Sequence, residues 1–406
     1  MEPFKKSRKL NNVCYDIRGP VMEAAKLLEK EGHRIVKLNT GNPAHFGFSP
    51  PENMKANIIN NMPRTEAYVD SQGITPARQV VLDDFLSKGF TNIALDDIWL
   101  GNGVSELISM VITALVDTQD EILIPSPDYP LWTATVTLAG GKPVHYRCDE
   151  AVDWQPDMKD VRSKITPRTK GIVIINPNNP TGAVYSREII EEFIELAREN
   201  NLVLLSDEIY DRILYEGDTH WSPGVLADDV FTITFNGLSK VFLASGYRAG
   251  WMVLSGPRER TRDFREGLSI LANMRLCGNT FSQLAIEAGF SSGIQGIRQL
   301  VAPGGRLFEQ RDAIYQGINR IPGVSCVRPR GALYLFPKLD IKKFSIRNDE
   351  KFVLDYLMEK KVLLVHGRGF NWPEPDHFRI VFLPPMEELL GVVESLSDFL
   401  AGYSQG

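Results

Sequence analysis

Lys240 closes the run Asn236-Gly237-Leu238-Ser239-Lys240, which follows the expected strand Val230 to Phe235. A lysine amine deprotonated by its surroundings can form a Schiff base with a carbonyl compound. Gly237 and Ser239 make the loop before it small and hydroxyl-bearing, which suits a phosphate. Arg248, eight residues on, adds a second positive charge for the same anion. Taken alone, a lysine after a strand is a solvated charge, so the neighbours carry the reading.

Two further clusters come after apolar runs. Ser206-Asp207-Glu208-Ile209-Tyr210 stands directly after Leu202 to Leu205. A carboxylate at the end of a buried strand is costly without a partner; Asp207 therefore reads either as a helix cap or as the group that keeps a bound heterocyclic nitrogen protonated. Tyr210, three residues on, can face the same place. Asn176-Pro177-Asn178-Asn179-Pro180-Thr181-Gly182 follows Gly171 to Ile175. Its two prolines stiffen the link and aim Asn179 into the strand-end crevice as a hydrogen-bond donor; the simpler alternative is a plain turn.

The elements that must position these clusters alternate. Strands are expected at Ile98 to Leu100, Glu121 to Ile124, Gly171 to Ile175, Leu202 to Leu205, Val230 to Phe235 and Gly250 to Leu254, with helices from Ser105 to about Val116 and from Ser186 to Asn200. Continuous apolar runs suit strands covered on both faces. The order predicts an α/β fold with a mostly parallel sheet flanked by helices, whose ligands sit at the carboxyl ends of the strands. Beyond Pro303-Gly304-Gly305 the pattern changes to a smaller α+β unit: strands at Gly323 to Val327, Ala332 to Phe336, Val362 to Val365 and Phe378 to Phe382, and a helix from Glu350 to Glu359. Near the start, residues 1–14 read as a polar arm, followed by a helix from Gly19 to Lys30 and a strand from Ile35 to Asn39. The division expected is arm 1–14, small domain 15–45 and 301–406, and large domain 46–300.

Composition is that of a globular protein: 43% hydrophobic and 24% charged, with a net charge of −6. That charge speaks against a nucleic-acid surface. Cys14, Cys148, Cys277 and Cys326 lack metal-ligand spacing, so reduced thiols and no metal are expected. With neither a signal-peptide pattern nor a run of roughly 20 apolar residues, a cytoplasmic protein without a membrane partner is expected. No G-x-G-x-x-G follows an early strand, which argues against a nicotinamide enzyme.

The three clusters, at 176–182, 206–210 and 236–240 in chain order at three successive strand ends, resemble the class I/II aminotransferases of the aspartate aminotransferase fold. The resemblance runs from Asn39-Thr40-Gly41-Asn42-Pro43 to Arg379. Within that group Cys14 to Pro20, Pro127 to Thr133 and Phe370-Asn371-Trp372-Pro373 are most similar to the bacterial glutamate–pyruvate (alanine) aminotransferases. The resemblance implies fold type I, with a seven-stranded sheet, and pyridoxal 5'-phosphate as cofactor in a ping-pong exchange of an amino group between L-alanine and 2-oxoglutarate. It implies Lys240 as Schiff-base lysine and proton shuttle, Asp207 on the pyridinium nitrogen, and Tyr210 with Asn179 on the phenolic oxygen. The phosphate is expected at Gly103-Val104-Ser105, with Ser239 and Arg248. Tyr129 is expected to stack on the ring, and Tyr68 to reach a neighbouring subunit's phosphate in a homodimer with shared sites.

For the substrate, the resemblance implies a carboxylate pair with Arg379, helped by Asn179 and by close approach at Gly41; strand alternation also turns Arg379 away from Phe378 and Ile380. Tyr15 and Arg18 are expected in a covering segment. Gly237 replaces a common serine, Leu243 a polar or basic residue, and His366 to Phe370 the usual small-residue run. These departures leave open another amino-acid preference. Fold and cofactor do not fix which Cα bond breaks, so a β-lyase or related chemistry is a further alternative, and a non-catalytic cofactor-binding sensor another.

Overall fold

The apolar runs read as buried strands all enter one sheet. The chain is described over residues 3–13 and 19–406 in a computed structural model. The sheet comprises β1 (Ile98–Gly101), β2 (Glu121–Ser126), β3 (Lys142–Asp149), β4 (Gln155–Pro156), β5 (Thr169–Ile175), β6 (Val203–Asp207), β7 (Thr232–Gly237) and β8 (Gly250–Ser255). Their spatial order is β1-β8-β7-β6-β5-β2-β3-β4. Neighbours from β7 through β3 are parallel; β8 is antiparallel to both β7 and β1, and β4 to β3.

The sheet thus has eight strands where seven were expected, the extra one being the two-residue β4. Strand β3 carries lysine, histidine, arginine and aspartate, with Tyr146 and Cys148 buried and Arg147 exposed. A strand near the sheet edge needs no continuous apolar run, which is why it gives no such signal.

Alternate residues of the central strands feed two cores. Leu123, Ile172, Ile174 and Leu204 pack with Phe193 and Ile194 of the helix α3 (Arg187–Asn200). Ile122, Ile124, Val173, Ile175 and Leu205 pack on the other face against α1 (Val104–Leu115), α2 (Leu131–Ala139) and α4 (Arg262–Met274). Each such fully buried aliphatic side chain contributes about 1.5–3 kcal/mol, before the entropy of ordering it. Helix α3 begins where expected because the Ser186 side chain accepts the Ile189 N–H at 3.3 Å.

The break at 302–305 separates α5 (Thr280–Val301) from the helix Arg306–Asn319. Beyond it, β9 (Tyr334–Leu335), β10 (Val365–His366) and β11 (Phe378–Val381) form an antiparallel sheet in the order β9-β11-β10. The expected strand from 362 to 365 is split. Val362–Leu363 pairs in parallel with Val36–Lys37, and Val365–His366 pairs with β11. Residues near the start of the chain are thereby tied to elements near its end. The strand expected from 323 to 327 shrinks to Val324–Ser325, and that from 332 to 336 to β9, with proline at 329 and 337 just beyond them. In the arm, Arg8–Asn12 forms a 3-10 turn, and Lys9 donates to the Leu138 carbonyl at 3.3 Å. Among the described residues, no helix is long and apolar enough to cross a membrane.

Candidate active site

Ile175 pairs with Asp207, and Asp207 with Phe235, so β5, β6 and β7 end side by side. The loops that carry Asn179, Tyr210 and Lys240 therefore leave the same edge of the sheet. They meet β11 and the turn at Gly41 around a cavity of about 670 Å³. Lys240, Asp207, Tyr210, Asn179, Tyr129, Ser239, Arg248, Val104, Ser105, Gly41 and Arg379 all line it.

In the cavity lining Asp207 is buried, accepting from Trp132 Nε1 at 3.3 Å and from the Ile209 N–H at 3.4 Å. Burial raises its carboxyl to about 6, partly offset by the Trp132 bond. No cation lies among those hydrogen-bond partners, so a protonated ring nitrogen brought to this carboxylate would relieve the cost of its burial. Tyr210 is buried close by, with its hydroxyl 2.6 Å from that of Tyr334. Lys240 Nζ donates to the Gly41 carbonyl at 2.6 Å and lies 5.9 Å from the Tyr210 ring centroid.

One side of the cavity suits an anion. The first turn of α1, with Val104 and Ser105, opens onto it, where backbone N–H groups and the helix dipole favour negative charge. Arg248 closes that side, its guanidinium donating to the Ser245 carbonyl at 2.9 Å and the Asn102 carbonyl at 3.3 Å. Gly103 lies behind: a Cβ there would sit 2.9 Å from Arg248 Cζ.

Gly237 has a packing reason. A Cβ would meet the Ala249 carbonyl oxygen at 2.7 Å and Gly250 Cα at 2.9 Å. These are backbone atoms of the paired strand, so a serine hydroxyl has no room here. Leu243 turns elsewhere and lines a separate cavity of about 690 Å³ beside Phe242 and Phe48. His366 is buried in β10, paired with Phe378 of β11.

In the same lining Arg379 is buried. Its Nη1 donates to Asn179 Oδ1 at 2.9 Å and its Nη2 to the Asn39 carbonyl. The Asn179 oxygen, expected at the crevice as part of a donor group, is thus an acceptor for Arg379, leaving the amide N–H₂ as donor. The guanidinium lies between the rings of Tyr334 and Phe370, at 4.5 and 4.6 Å from their centroids. An arginine so placed suits bidentate pairing with a carboxylate.

Tyr68 stands apart, 80% exposed and away from the cavity wall. Tyr15 and Arg18 lie outside the described residues. Sequence reasoning missed Tyr334 and Trp132. No motif marks Tyr334, which meets Arg379 only through the register of β9 on β11; Trp132 lies in a quoted stretch, but its bond to Asp207 spans 75 residues.

The family model for aminotransferase class I and II matches residues 33–396. The chain is 54% identical over 405 residues to the glutamate–pyruvate aminotransferase AlaA of Escherichia coli K12, covering 100% of both chains. It is 54% identical over 403 residues to the alanine aminotransferase of Mycobacterium tuberculosis H37Rv, covering 99% of this chain and 94% of that one. Among solved structures, an Escherichia coli aminotransferase aligns with a TM-score of 0.98 at 54% identity, covering 100% of both chains. The Pyrococcus furiosus alanine aminotransferase aligns with 0.91 at 42%, covering 98% of this chain and 100% of that one. The chain has the fold type I architecture and belongs to the class I and II aminotransferases, enzymes that act on amino and oxo acids.

Proposed function

We propose that this protein is a pyridoxal-phosphate-dependent alanine aminotransferase, exchanging an amino group between L-alanine and 2-oxoglutarate. The observation that carries the reading is one cavity whose lining brings together buried Asp207, the α1 terminus with Arg248, Arg379 and Lys240. The donor set fits the cofactor: an acid for a ring nitrogen, hydroxyl groups and helix amides for a phosphate, and a lysine for an aldehyde. When bound, pyridoxal phosphate supplies an electron sink for the bonds at an amino acid's Cα. Asp207 holds a positive charge in place, Tyr210 offers its hydroxyl to an oxygen anion, and Ser239 and Arg248 hold the phosphate. Arg379 fixes the substrate carboxylate, which orients Cα toward Lys240, the group that moves the proton. Alanine as donor accords with the names of the relatives at 54% identity.

Two finer readings complete the proposal. The small domain joins residues 15–45 to 301–406 and the large domain spans 46–300, after an arm at 1–14; the pairing of Val36–Lys37 with Val362–Leu363 and the break at 302–305 support this. The active unit is a homodimer with Tyr68 reaching the partner's phosphate. Ile59, Met62 and Tyr68 are exposed on one stretch, Met274 and Leu276 on another, and the two stretches are held together by bonds such as Arg275 to the Ser71 carbonyl at 3.0 Å. Such a surface suits a partner of the same kind.

The test is the visible spectrum of the protein loaded with pyridoxal phosphate, before and after L-alanine without an acceptor. Loss of the visible band with pyruvate released is expected, and Lys240→Ala should abolish both. A band unmoved by alanine would keep the cofactor and refute the substrate; turnover by Lys240→Ala would refute the role of the lysine.

A further inference from the structure

Asn371 joins two stretches of chain that each lead into the site. It follows the 3-10 turn Gly367–Phe370 in a left-handed conformation (φ 56°), which asparagine tolerates. Its Nδ2 donates to Asp128 Oδ1 at 2.6 Å and to Thr133 Oγ1 at 3.2 Å. Two further bonds run beside it: the Asp128 N–H donates to the Phe370 carbonyl at 2.9 Å, and Ser126 Oγ donates to the Asn371 carbonyl at 2.8 Å. Thr133 of α2 completes the cluster by donating to Asp128 Oδ2 at 3.0 Å. Positions 128 and 371 are 243 residues apart in the chain.

Each stretch carries one working part. Tyr129, next to Asp128, lines the cavity. Phe370, next to Asn371, is buried with its ring 4.6 Å from the Arg379 guanidinium. Asp128 and Asn371 themselves stand outside that cavity wall; Asn371 and Ser126 line a separate cavity of about 620 Å³. We propose that Asn371, acting through Asp128, is a positioning residue that fixes the spacing between Tyr129, on which the cofactor ring stacks, and Arg379, which takes the substrate carboxylate. The proposal rests on the functional reading in giving Tyr129 and Arg379 those roles.

Burial makes this anchor exacting. Asp128 is fully buried, and a carboxyl group out of reach of water must take its hydrogen bonds from the protein. Asn371 and Thr133 supply them, and neither is a cation. Burial lifts the carboxyl to about 7, and both bonds work against that rise. Removing the Asn371 amide leaves a buried oxygen short of a partner, which the segment bearing Tyr129 can regain only by moving. The Asp128 N–H holds the Phe370 carbonyl, so the same movement disturbs the ring beside Arg379. Ring stacking and carboxylate binding thus share one anchor.

The test replaces Asn371 by glycine, which keeps the left-handed backbone and removes only the side chain. Cofactor affinity is read by absorbance titration with pyridoxal phosphate, and KM by turnover of L-alanine with 2-oxoglutarate. Asn371→Gly is expected to raise the cofactor dissociation constant and both KM values roughly tenfold, the low end of what a hydrogen bond to a charged group is worth. Because Asn371 acts through Asp128, the double variant Asp128→Ala with Asn371→Gly should be no weaker than Asp128→Ala alone. A dissociation constant or KM values left unchanged, whatever happens to the melting temperature, would make Asn371 a structural residue only and overturn the proposal. Effects that add in the double variant would overturn it too. Should Asn371→Gly fail to fold, Thr133→Val decides, since it keeps the shape and removes one bond to Asp128: a rise of roughly fivefold in the same constants is expected, and no rise overturns the proposal. Wild-type protein that takes up no pyridoxal phosphate refutes the functional reading instead, because every variant is compared with loaded wild type.

Discussion

Asp207 costs the folded chain stability wherever it is ionised. Its carboxyl rises from 3.8 to about 6 because it is buried against Trp132 with no cationic hydrogen-bond partner. The folded chain therefore holds this proton more tightly than the unfolded chain. The stabilising contribution is full below 3.8 and is lost as pH rises to about 6. Asp207→Asn, which cannot ionise, should match wild-type stability at acid pH and exceed it above pH 6 by up to roughly 3 kcal/mol without cofactor. Denaturant titrations of both proteins at acid and neutral pH check this. A variant no more stable than wild type at neutral pH would show that Asp207 is not ionised at a cost there.

At the scale of elements, the site is held by strand ends in register and by a close strand pair. Gly237 and Gly250 sit opposite each other on β7 and β8, with Gly103 and Val104 stacked behind Gly250. This contact brings the Lys240 loop, Arg248 and the α1 terminus together. Gly237→Ser should therefore destabilise the protein by about 1–3 kcal/mol and lower activity, since the obstructing atoms are backbone and cannot swing aside. Thermal unfolding and steady-state turnover would measure it. A serine variant with intact stability and higher phosphate affinity would mean the strands yield more easily than their spacing implies.

For the whole molecule, the placement of Tyr68 gives a sharp test of shared sites. It is 80% exposed in the single chain and absent from that chain's cavity wall. In the proposed dimer, Tyr68→Phe weakens each site's phosphate, and Lys240→Ala removes each site's lysine. Mixing the two variants should form heterodimers in which one site keeps Lys240 and receives Tyr68 from the other subunit. Cofactor affinity at that site should return to the wild-type value, about one active site in four after random exchange. Mixtures that stay at the Tyr68→Phe level, with sedimentation showing heterodimers, would place Tyr68 outside the partner's site.

Local pattern alone determined which runs are buried and which polar residues end them, because an apolar strand and its terminal loop are neighbours in the chain. Lys240, Asp207 and Asn179 were legible for that reason, as was Arg379 once the resemblance was in hand. Strand β3 was not, since a strand beside the sheet edge can carry charges, and neither were the short β9 and the split at 362–366, whose limits are set by their partners. Only the tertiary structure decided that Tyr334 lies on Arg379 and bonds Tyr210, that Trp132 anchors Asp207, and why position 237 is glycine. Those contacts join segments far apart in the chain. They depend on register and on distances of a few tenths of an ångström, and no local pattern of residue types encodes either.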